Sequence, residues 1–279
     1  MQTRYQLPQK LDETKATEWH RISLAILATG GDPTNINGIN LIADGTYNRA
    51  MTTSLGTQGI NGWIWGLITL DSMRYAIPSS ASTTRKEMIE EILKAQLPDG
   101  GFSLYHDTAD VDITAMALQA LAPYANSFQS FTYTQQAINT TVTKTVRTVV
   151  EEALATLSKL QTKSGDFTSW GEPNAESTAQ VLVALSALQI DPLTDTRFIK
   201  NGKTILDGLM RYQQDDGGFI HSENYNPKNP TSLPDESNSM ASEQVLYALI
   251  AYKRATENFR ALYDIRAEQN NTLKQQIEQ

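Results

Sequence analysis

The chain has 279 residues, with 23 Lys and Arg against 31 Asp and Glu, which gives a formal charge of −8. This excess of acidic residues disfavours nucleic acid and anionic membranes as partners, and no apolar run is long enough to span a membrane. The absence of cysteine excludes disulfides, thiol catalysis and Cys-ligated metal sites, and the three dispersed histidines give no indication of a zinc site.

Two kinds of helix are predicted to alternate along the chain. Helices that are apolar on most sides are predicted at five ten-residue blocks, each ending in Leu: 18–27, 61–70, 112–121, 176–185 and 240–249. Amphipathic helices are predicted over KEMIEEILKAQ, VRTVVEEALATLSKLQ and KTILDGLMRYQ, where apolar residues recur at i, i+3, i+4 and i+7. The first kind belongs inside the fold and the second outside, with one face in water.

A repeated string follows each amphipathic helix. It reads QLPDGGF from Gln96, QTKSGDF from Gln161 and QQDDGGF from Gln213, so that Gly lies four residues and Phe six residues after each Gln. Gly ends a helix because it accepts left-handed backbone angles at low cost. The acidic residues of these strings lack the alternating oxygen ligands of a calcium loop, so helix-ending turns are the favoured interpretation.

This alternation predicts an all-α fold in which two concentric layers of helices form a closed or nearly closed ring. The ring is expected to comprise residues 1–256, with the outer helix before Glu18 missing or replaced by residues 1–15. Segment 127–143 is interpreted as a polar, Thr-rich linker, since no useful strand alternation is recognised in the chain. Residues 257–279 are predicted to form a helix that packs on the ring or leads to a further domain.

The repeats resemble two related groups of proteins. The strings at Gln96, Gln161 and Gln213 resemble the QW motif of squalene-hopene and oxidosqualene cyclases, with Phe at the Trp position. The segments GINGWIWGLITLDS, DVDITAMALQALAPY, ESTAQVLVALSALQIDP and MASEQVLYALIAY are more similar to the prenyltransferase/squalene-oxidase-repeat domains of Gram-positive surface proteins. Those domains are similar in turn to the eukaryotic cobalamin carriers, which have a string comparable to VDITAMA.

The second resemblance runs from about Glu18 to Arg254. It implies an α/α toroid of about five helical-hairpin repeats, incomplete at its N-terminus, within a secreted or cell-surface protein. It specifies the fold and not an activity. The expected ligand is a small molecule, with cobalamin or a related corrinoid as one candidate, or an extracellular partner, and the expected state is a monomer without a resident cofactor.

One string raises the question of catalysis. Asp110 and Asp112, followed by Thr114 and Ala115, resemble the DxDD-T-A motif of class II terpene cyclases, in which the middle Asp protonates an alkene or epoxide. Ile113 replaces the third Asp, and the supply of aromatic residues is thin for a cavity that steers carbocations. Helix capping by an acid in the first turn is the alternative explanation of Asp112, and catalysis is disfavoured.

The ends of the apolar helices supply the candidate binding residues. Inner helices of such a ring run parallel, so their N-termini meet at one mouth of the central cavity. The few basic residues there disfavour a diphosphate, whereas polar groups above aromatic side chains suit a bulky amphipathic ligand. The predicted set is Glu18, His20, Asn61, Trp63, Trp65, Asp112, Thr114, Glu176, Gln180 and Gln244.

Three functions remain open on the sequence alone. The first is a non-catalytic ligand-binding or scaffold domain, for which His20 is a conceivable cobalt ligand or simply a hydrogen-bonded side chain. The second is a cyclase with Asp112 as general acid and Asp110 beside it. The third is a purely structural or adhesive module. The volume of the central cavity distinguishes them, because only the third requires an interior filled by the protein's own side chains.

Overall fold

The computed structural model describes residues 11–12, 14–49, 53–105, 107–230 and 232–267. The helices are α1 (Ala16–Ala28), α2 (Leu41–Gly45), α3 (Ile60–Asp71), α4 (Arg85–Lys94), α5 (Val111–Leu121), α6 (Val146–Leu160), α7 (Ala175–Ala187), α8 (Ile205–Met210) and α9 (Ser239–Thr256). Two hairpins supply the strands, which are β1 (Ser130–Gln135), β2 (Thr140–Thr145), β3 (Phe167–Ser169) and β4 (Glu172–Asn174).

The apolar helices form the inner layer, as the sequence predicts. They pack in chain order, with α1 on α3, α3 on α5, α5 on α7 and α7 on α9. Helix α7 is buried from Ala175 to Ser186, because neighbours surround it on every side. Among the described residues, α1 and α9 do not form a packed pair, and a cavity opens between them. We call this gap the seam.

The amphipathic helices form the outer layer. Helix α6 buries one stripe that includes Val149, Ala153 and Leu157 and leaves its other face to solvent. Capping boxes begin two of these helices: Thr84 with Glu87 at α4, and Thr204 with Asp207 at α8. No helix in the described part of the chain combines the length and apolarity needed to cross a membrane.

The repeated turns join the outer layer to the inner helices. The glycines of the three strings have φ of 93°, 92° and 86° (Gly100, Gly165 and Gly217), but they lie five to seven residues past the ends of α4, α6 and α8, so the prediction that they end these helices is wrong and they form the turns that follow. The backbone N–H of each string's Phe donates to a hydroxyl on the fourth residue of the next inner helix, at 2.9, 3.1 and 2.9 Å. The pairs are Phe102 with Thr114, Phe167 with Thr178 and Phe219 with Ser242.

The glutamines of the strings connect one repeat to the next. The amide of Gln161 donates to the carbonyl of Gly165 at 2.9 Å and to that of Phe198, in the next outer segment, at 3.0 Å. Gln96 makes the same pair of contacts with Gly100 at 3.0 Å and, on α6, with Val149 at 3.4 Å. We call these bonds the glutamine staples. Gln213, the last of the three, is exposed and its side chain has no hydrogen bond within the described residues.

A hairpin replaces the linker expected at 127–143, so that prediction is wrong. Strands β1 and β2 are antiparallel, with Phe131 opposite Lys144 and Tyr133 opposite Val142. The side chains of β1 alternate between exposed and buried, and Phe131 and Tyr133 enter the core. The backbone N–H of Gln136 donates to the carbonyl of Lys94 at 2.9 Å, which fixes the hairpin on α4.

The segment after α9 closes the far end of the ring. Residues 257–267 contain no helix, contrary to the prediction, and residues 268–279 lie outside the described part. The N–H of Ile265 donates to the carbonyl of Ser72 at 2.8 Å, and Tyr263 meets Trp65 edge-to-face with ring centroids 5.5 Å apart. The segment thus covers the C-terminal ends of the inner helices, and the predicted link to a further domain stays a prediction.

Candidate ligand-binding cavity

A cavity of about 740 Å³ lies at the seam between α1 and α9 and reaches inward to Trp65 of α3 and Gln180 of α7; we call it the central cavity. Side chains from α1, α3, α7 and α9 line it, together with Tyr263 of the closing segment. The lining mixes the rings of Trp65, Tyr247 and Tyr263 with charged and amide groups, among them Glu18, Arg21, Gln180 and Glu243. The interior is therefore not filled by the protein's own side chains.

A second pocket of about 460 Å³ adjoins the cavity at the N-terminal ends of α5, α7 and α9. Gln180, Met240 and Gln244 line both spaces, so these side chains form the boundary between them. Acidic groups from α5, α7 and β4 line the second pocket, and its rim carries an exposed indole and an imidazole. These residues are Asp112, Glu176, Glu172, Trp170 and His221. We call this space the mouth pocket.

The boundary is a network of hydrogen-bonded amides. Gln119 donates to the side-chain oxygen of Gln180 at 3.1 Å, and Gln180 donates to that of Gln244 at 3.1 Å and to the hydroxyl of Tyr247. Tyr247 in turn donates to Gln244 at 3.2 Å. The amides of Gln180 and Gln244 are thereby held in place between the two spaces before any ligand arrives.

The N-cap hydrogen bonds of α5 and α7 come from residues that precede the acids of the mouth pocket. The N-cap residues are Asp110 on α5 and Asn174 on α7, which accept the backbone N–H of Ile113 at 2.9 Å and of Ser177 at 2.8 Å. Each lies two residues before the acid of the same helix. Asp112 and Glu176 thus lie in the first turn, as predicted, where the helix dipole favours a carboxylate, but the N-cap hydrogen bond itself comes from the preceding residue.

Asp112 is a largely buried carboxyl group with an unusual environment. Burial raises its pKa from 3.8 to about 6, and the nearby charges of Asp110 and Glu176 add to this effect. Hydrogen bonds from Ser177 and Ser169 act in the opposite direction. The Oδ1 atom of Asp112 is buried and has no hydrogen-bond partner, so the pocket leaves part of this carboxyl group unsatisfied.

Glu176 and His221 form a pair across the same pocket. The Nδ1 atom of His221 lies 2.7 Å from Oε2 of Glu176, and this hydrogen bond raises the pKa of the imidazole. The carbonyl of His221 accepts the N–H of Ala175 at 2.9 Å, which anchors the loop to the start of α7. The other oxygen of Glu176, Oε1, is buried without a partner.

The structure divides the predicted site residues into two groups. Glu18, Trp65, Asp112, Glu176, Gln180 and Gln244 line the cavity or the mouth pocket. Asn61 lines a cleft that shares Lys15 and Thr17 with the central cavity. Trp63 lines a separate cleft, and the hydroxyl of Thr114 is engaged with the backbone of Phe102, so these two residues lie away from the predicted mouth.

His20 also lies away from the cavity. Its Nε2 atom is 2.7 Å from the carbonyl of Gly45, and burial lowers its pKa to about 4, so the ring is neutral and donates this hydrogen bond. Of the two alternatives for His20, its position fits the hydrogen-bonded side chain and not the cobalt ligand. Within the described residues, no group of three or more His, Asp or Glu side chains could hold a metal ion; His106 lies outside them.

Two residues that line the mouth pocket were not predicted as site residues, because they lie in connections between helices. His221 follows the last QxxxGxF string, and Trp170 occupies the tip of the hairpin between β3 and β4, with φ of 55° and 82% of its surface exposed. A non-Gly residue with positive φ is uncommon. The sequence does contain one sign of an unusual turn: Trp precedes Gly171 in a two-residue hairpin turn, where Asn-Gly is the preferred pair.

Two layers of helices around a central cavity define the class of protein as an α/α toroid. The sequence model of the prenyltransferase alpha-alpha toroid domain matches residues 43–147 and 132–229. The chain therefore belongs to this family, which confirms the predicted toroid and its prenyltransferase-type repeats. A comparison with curated proteins found no match. The number of hairpin repeats, the Gram-positive surface context and the similarity to cobalamin carriers stay predictions.

Proposed function

We propose that this toroid is a non-catalytic domain that binds a bulky amphipathic small molecule in its central cavity. The observation that supports it is the cavity itself, which is about 740 Å³ in volume and open at the seam. Ligand pockets usually measure about 300–1,000 Å³ and combine apolar walls with a few fixed polar groups. A purely structural module has no need of such a space.

The side chains that line the cavity indicate which chemical groups the ligand carries. The rings of Trp65, Tyr247 and Tyr263 offer apolar surface at depth, and the ordered amides of Gln180 and Gln244 offer directional hydrogen bonds. A corrinoid combines a large apolar ring with many peripheral amides, and it is the first candidate. Since His20 is unavailable as a ligand, the corrinoid would be held through its periphery and not through a protein–cobalt bond to that residue. Export to the cell surface is part of this proposal and rests on the resemblance of the repeats.

A cyclase is the second candidate, and one observation favours it. Asp112 is a buried acid whose pKa is raised to about 6, as a general acid requires. The lining of the cavity argues against this activity, because Glu18, Arg21 and Glu243 would face a carbocation where aromatic side chains are needed. Offering polyprenyl substrates to the protein and to Asp112→Asn tests it, and turnover that disappears in the variant would establish the cyclase.

Native mass spectrometry with cobalamin, cobinamide and a panel of bulky amphipathic compounds tests the proposed function. We expect a one-to-one adduct that survives desalting. Gln244→Trp should abolish it by filling space on both sides of the boundary, whereas Gln129→Trp, at an exposed position outside both spaces, should retain it. No adduct with either corrinoid would reject the corrinoid, and no adduct with any compound would reject the binding function.

A further inference from the structure

We propose that the mouth pocket binds a cationic group, such as a substituted ammonium, carried by the ligand of the central cavity. This inference rests on the proposed function and deepens it by naming the chemical class of the ligand. The mouth pocket and the cavity share Gln180, Met240 and Gln244 as a boundary, so the proposal requires that one molecule reach past these side chains into both spaces. Three observations support it: the charge of the lining, its unsatisfied oxygens and the indole at its rim.

The charge of the mouth pocket is negative. Asp112, Glu172 and Glu176 line it, opposed by Lys228 and His221. His221 is already bonded to one oxygen of Glu176, and Lys228 is an exposed side chain on the outer loop. Even if both of these groups carry a positive charge, one carboxylate remains in excess. Such a lining attracts cations and repels phosphates and carboxylates.

Two carboxyl oxygens of this lining lack hydrogen-bond donors. Glu176 is only 7% exposed, and its Oε1 atom has no hydrogen-bond partner. The Oδ1 atom of Asp112 also has no hydrogen-bond partner. A buried acceptor without a donor is costly, and more so when it is charged. The neighbouring amide of Gln180 cannot supply a donor, because it is engaged with Gln244 and Tyr247. These two oxygens are closed to solvent, so an ammonium in the mouth pocket would offset the charge of the two carboxylates through space and not by N–H bonds to Oε1 and Oδ1.

The rim of the mouth pocket supplies an aromatic face. Trp170 is 82% exposed at the tip of the hairpin between β3 and β4, although apolar side chains of this size are usually buried. The face of an indole is the most favourable aromatic partner for a cation. Carboxylates below and an indole at the rim together give the arrangement in which substituted ammonium groups are bound.

Three probes that share one bulky cage and differ in charge test this inference: 1-adamantylammonium, 1-adamantanol and 1-adamantanecarboxylate. Their affinities for the full chain are measured by calorimetry at low and at high salt. We expect the ammonium to bind at least about tenfold more tightly than the alcohol, a difference of 1.4 kcal/mol, with the carboxylate weakest. High salt should reduce this preference, since part of the attraction is between partly exposed charges.

Matched variants locate the binding. Glu176→Gln should weaken binding of the ammonium about tenfold and leave the alcohol unchanged, and Trp170→Asn should weaken the ammonium severalfold. Asn suits the positive φ at position 170, so this variant should fold. The control is Glu236→Gln, which removes the same charge from an exposed position outside both spaces and should change nothing.

The outcomes distinguish this inference from the proposed function. If the three probes bind equally well, or if Glu176→Gln binds the ammonium as the parent protein does, the cationic site is rejected while the cavity remains a binding site. Preference for the carboxylate also rejects it. If no probe binds, the cationic site is rejected, and the adducts seen by native mass spectrometry decide the proposed function on their own.

Discussion

The glutamine staples make a quantitative prediction, because the same residue occupies the same position of the string in two different settings. Gln161 donates to two carbonyls, those of Gly165 and Phe198, at 2.9 and 3.0 Å, whereas Gln213 is exposed and makes no such bond in the described structure. Replacing Gln161 by Ala removes both bonds and leaves two carbonyls with fewer donors. Replacing Gln213 by Ala removes neither.

The expected loss follows from these contacts. Each hydrogen bond contributes about 1 kcal/mol net, and carbonyls left without donors cost more, so Gln161→Ala should lower the free energy of unfolding by about 2–3 kcal/mol. The Oε1 atom of Gln161 is itself buried without a partner, and its removal offsets part of this loss. Gln213→Ala should stay within about 0.5 kcal/mol of the parent protein, as exposed substitutions usually do.

Urea unfolding followed by circular dichroism measures both values, provided that the slope with denaturant is unchanged. The reasoning fails if the two variants lose equal stability, since the effect would then come from the string itself and not from the bond to the next repeat. Gln96→Ala is a useful third variant. Its bond to Val149 is longer, at 3.4 Å, so its loss should fall between the other two.

Three further predictions concern burial, backbone and packing. The folded-state pKa of Asp112 is raised above its unfolded value, so the protein loses stability as pH rises from about 4 to about 6, by up to about 3 kcal/mol. Asp112→Asn should therefore be more stable than the parent protein at pH 7.5 and not at pH 4, by denaturant unfolding; equal differences at both pH values would contradict it. Gly165 and Gly171 share a φ of 92°, but a Cβ on Gly165 would lie 2.1 Å from the carbonyl oxygen of Thr204, whereas Gly171 faces open space. Gly171→Ala should cost about 1 kcal/mol and Gly165→Ala more than about 3 kcal/mol in thermal unfolding, and similar costs would count against this packing. Tyr263→Ala removes the edge contact with Trp65 and should lower the free energy of unfolding by about 2–4 kcal/mol. Hydrogen exchange should become faster in residues 257–267, and unchanged exchange there would show that the side chain of Tyr263 does not hold this segment in place.

Much of the fold could be predicted because helical periodicity and glycine placement are local signals. Helix α6 and the turn at Gly165 follow directly from apolar spacing and backbone freedom. The hairpin of β1 and β2 could not be recognised as easily, since Thr at the exposed positions of SFTYTQ resembles a polar linker. Its signal was the alternation of Phe131 and Tyr133 with Thr, a pattern of period two that is short and easily missed.

The site was harder to predict because a shared position along a helix does not give a shared direction. His20 and Thr114 occupy the same place in their blocks, yet both side chains are directed at the backbone of other segments and not at the cavity. That position serves packing throughout the ring, as Thr178 does for Phe167. His221 and Trp170 depend on the course of two connections between helices, and no periodic pattern encodes that course.

The glutamine staples and the seam together make the toroid a split ring. Each staple fastens an outer turn to the segment that follows it, so the described residues form a linear series of junctions with two free edges. In a linear series, small rotations at several junctions add up at the edges, while each junction keeps its own bonds. Such a ring can widen at the seam to admit a broader ligand, except at the end where residues 257–267 tie α9 to Ser72. Protection against hydrogen exchange should rise from α1 and α9 toward α5 and α7, because the middle helices have packed neighbours on both sides.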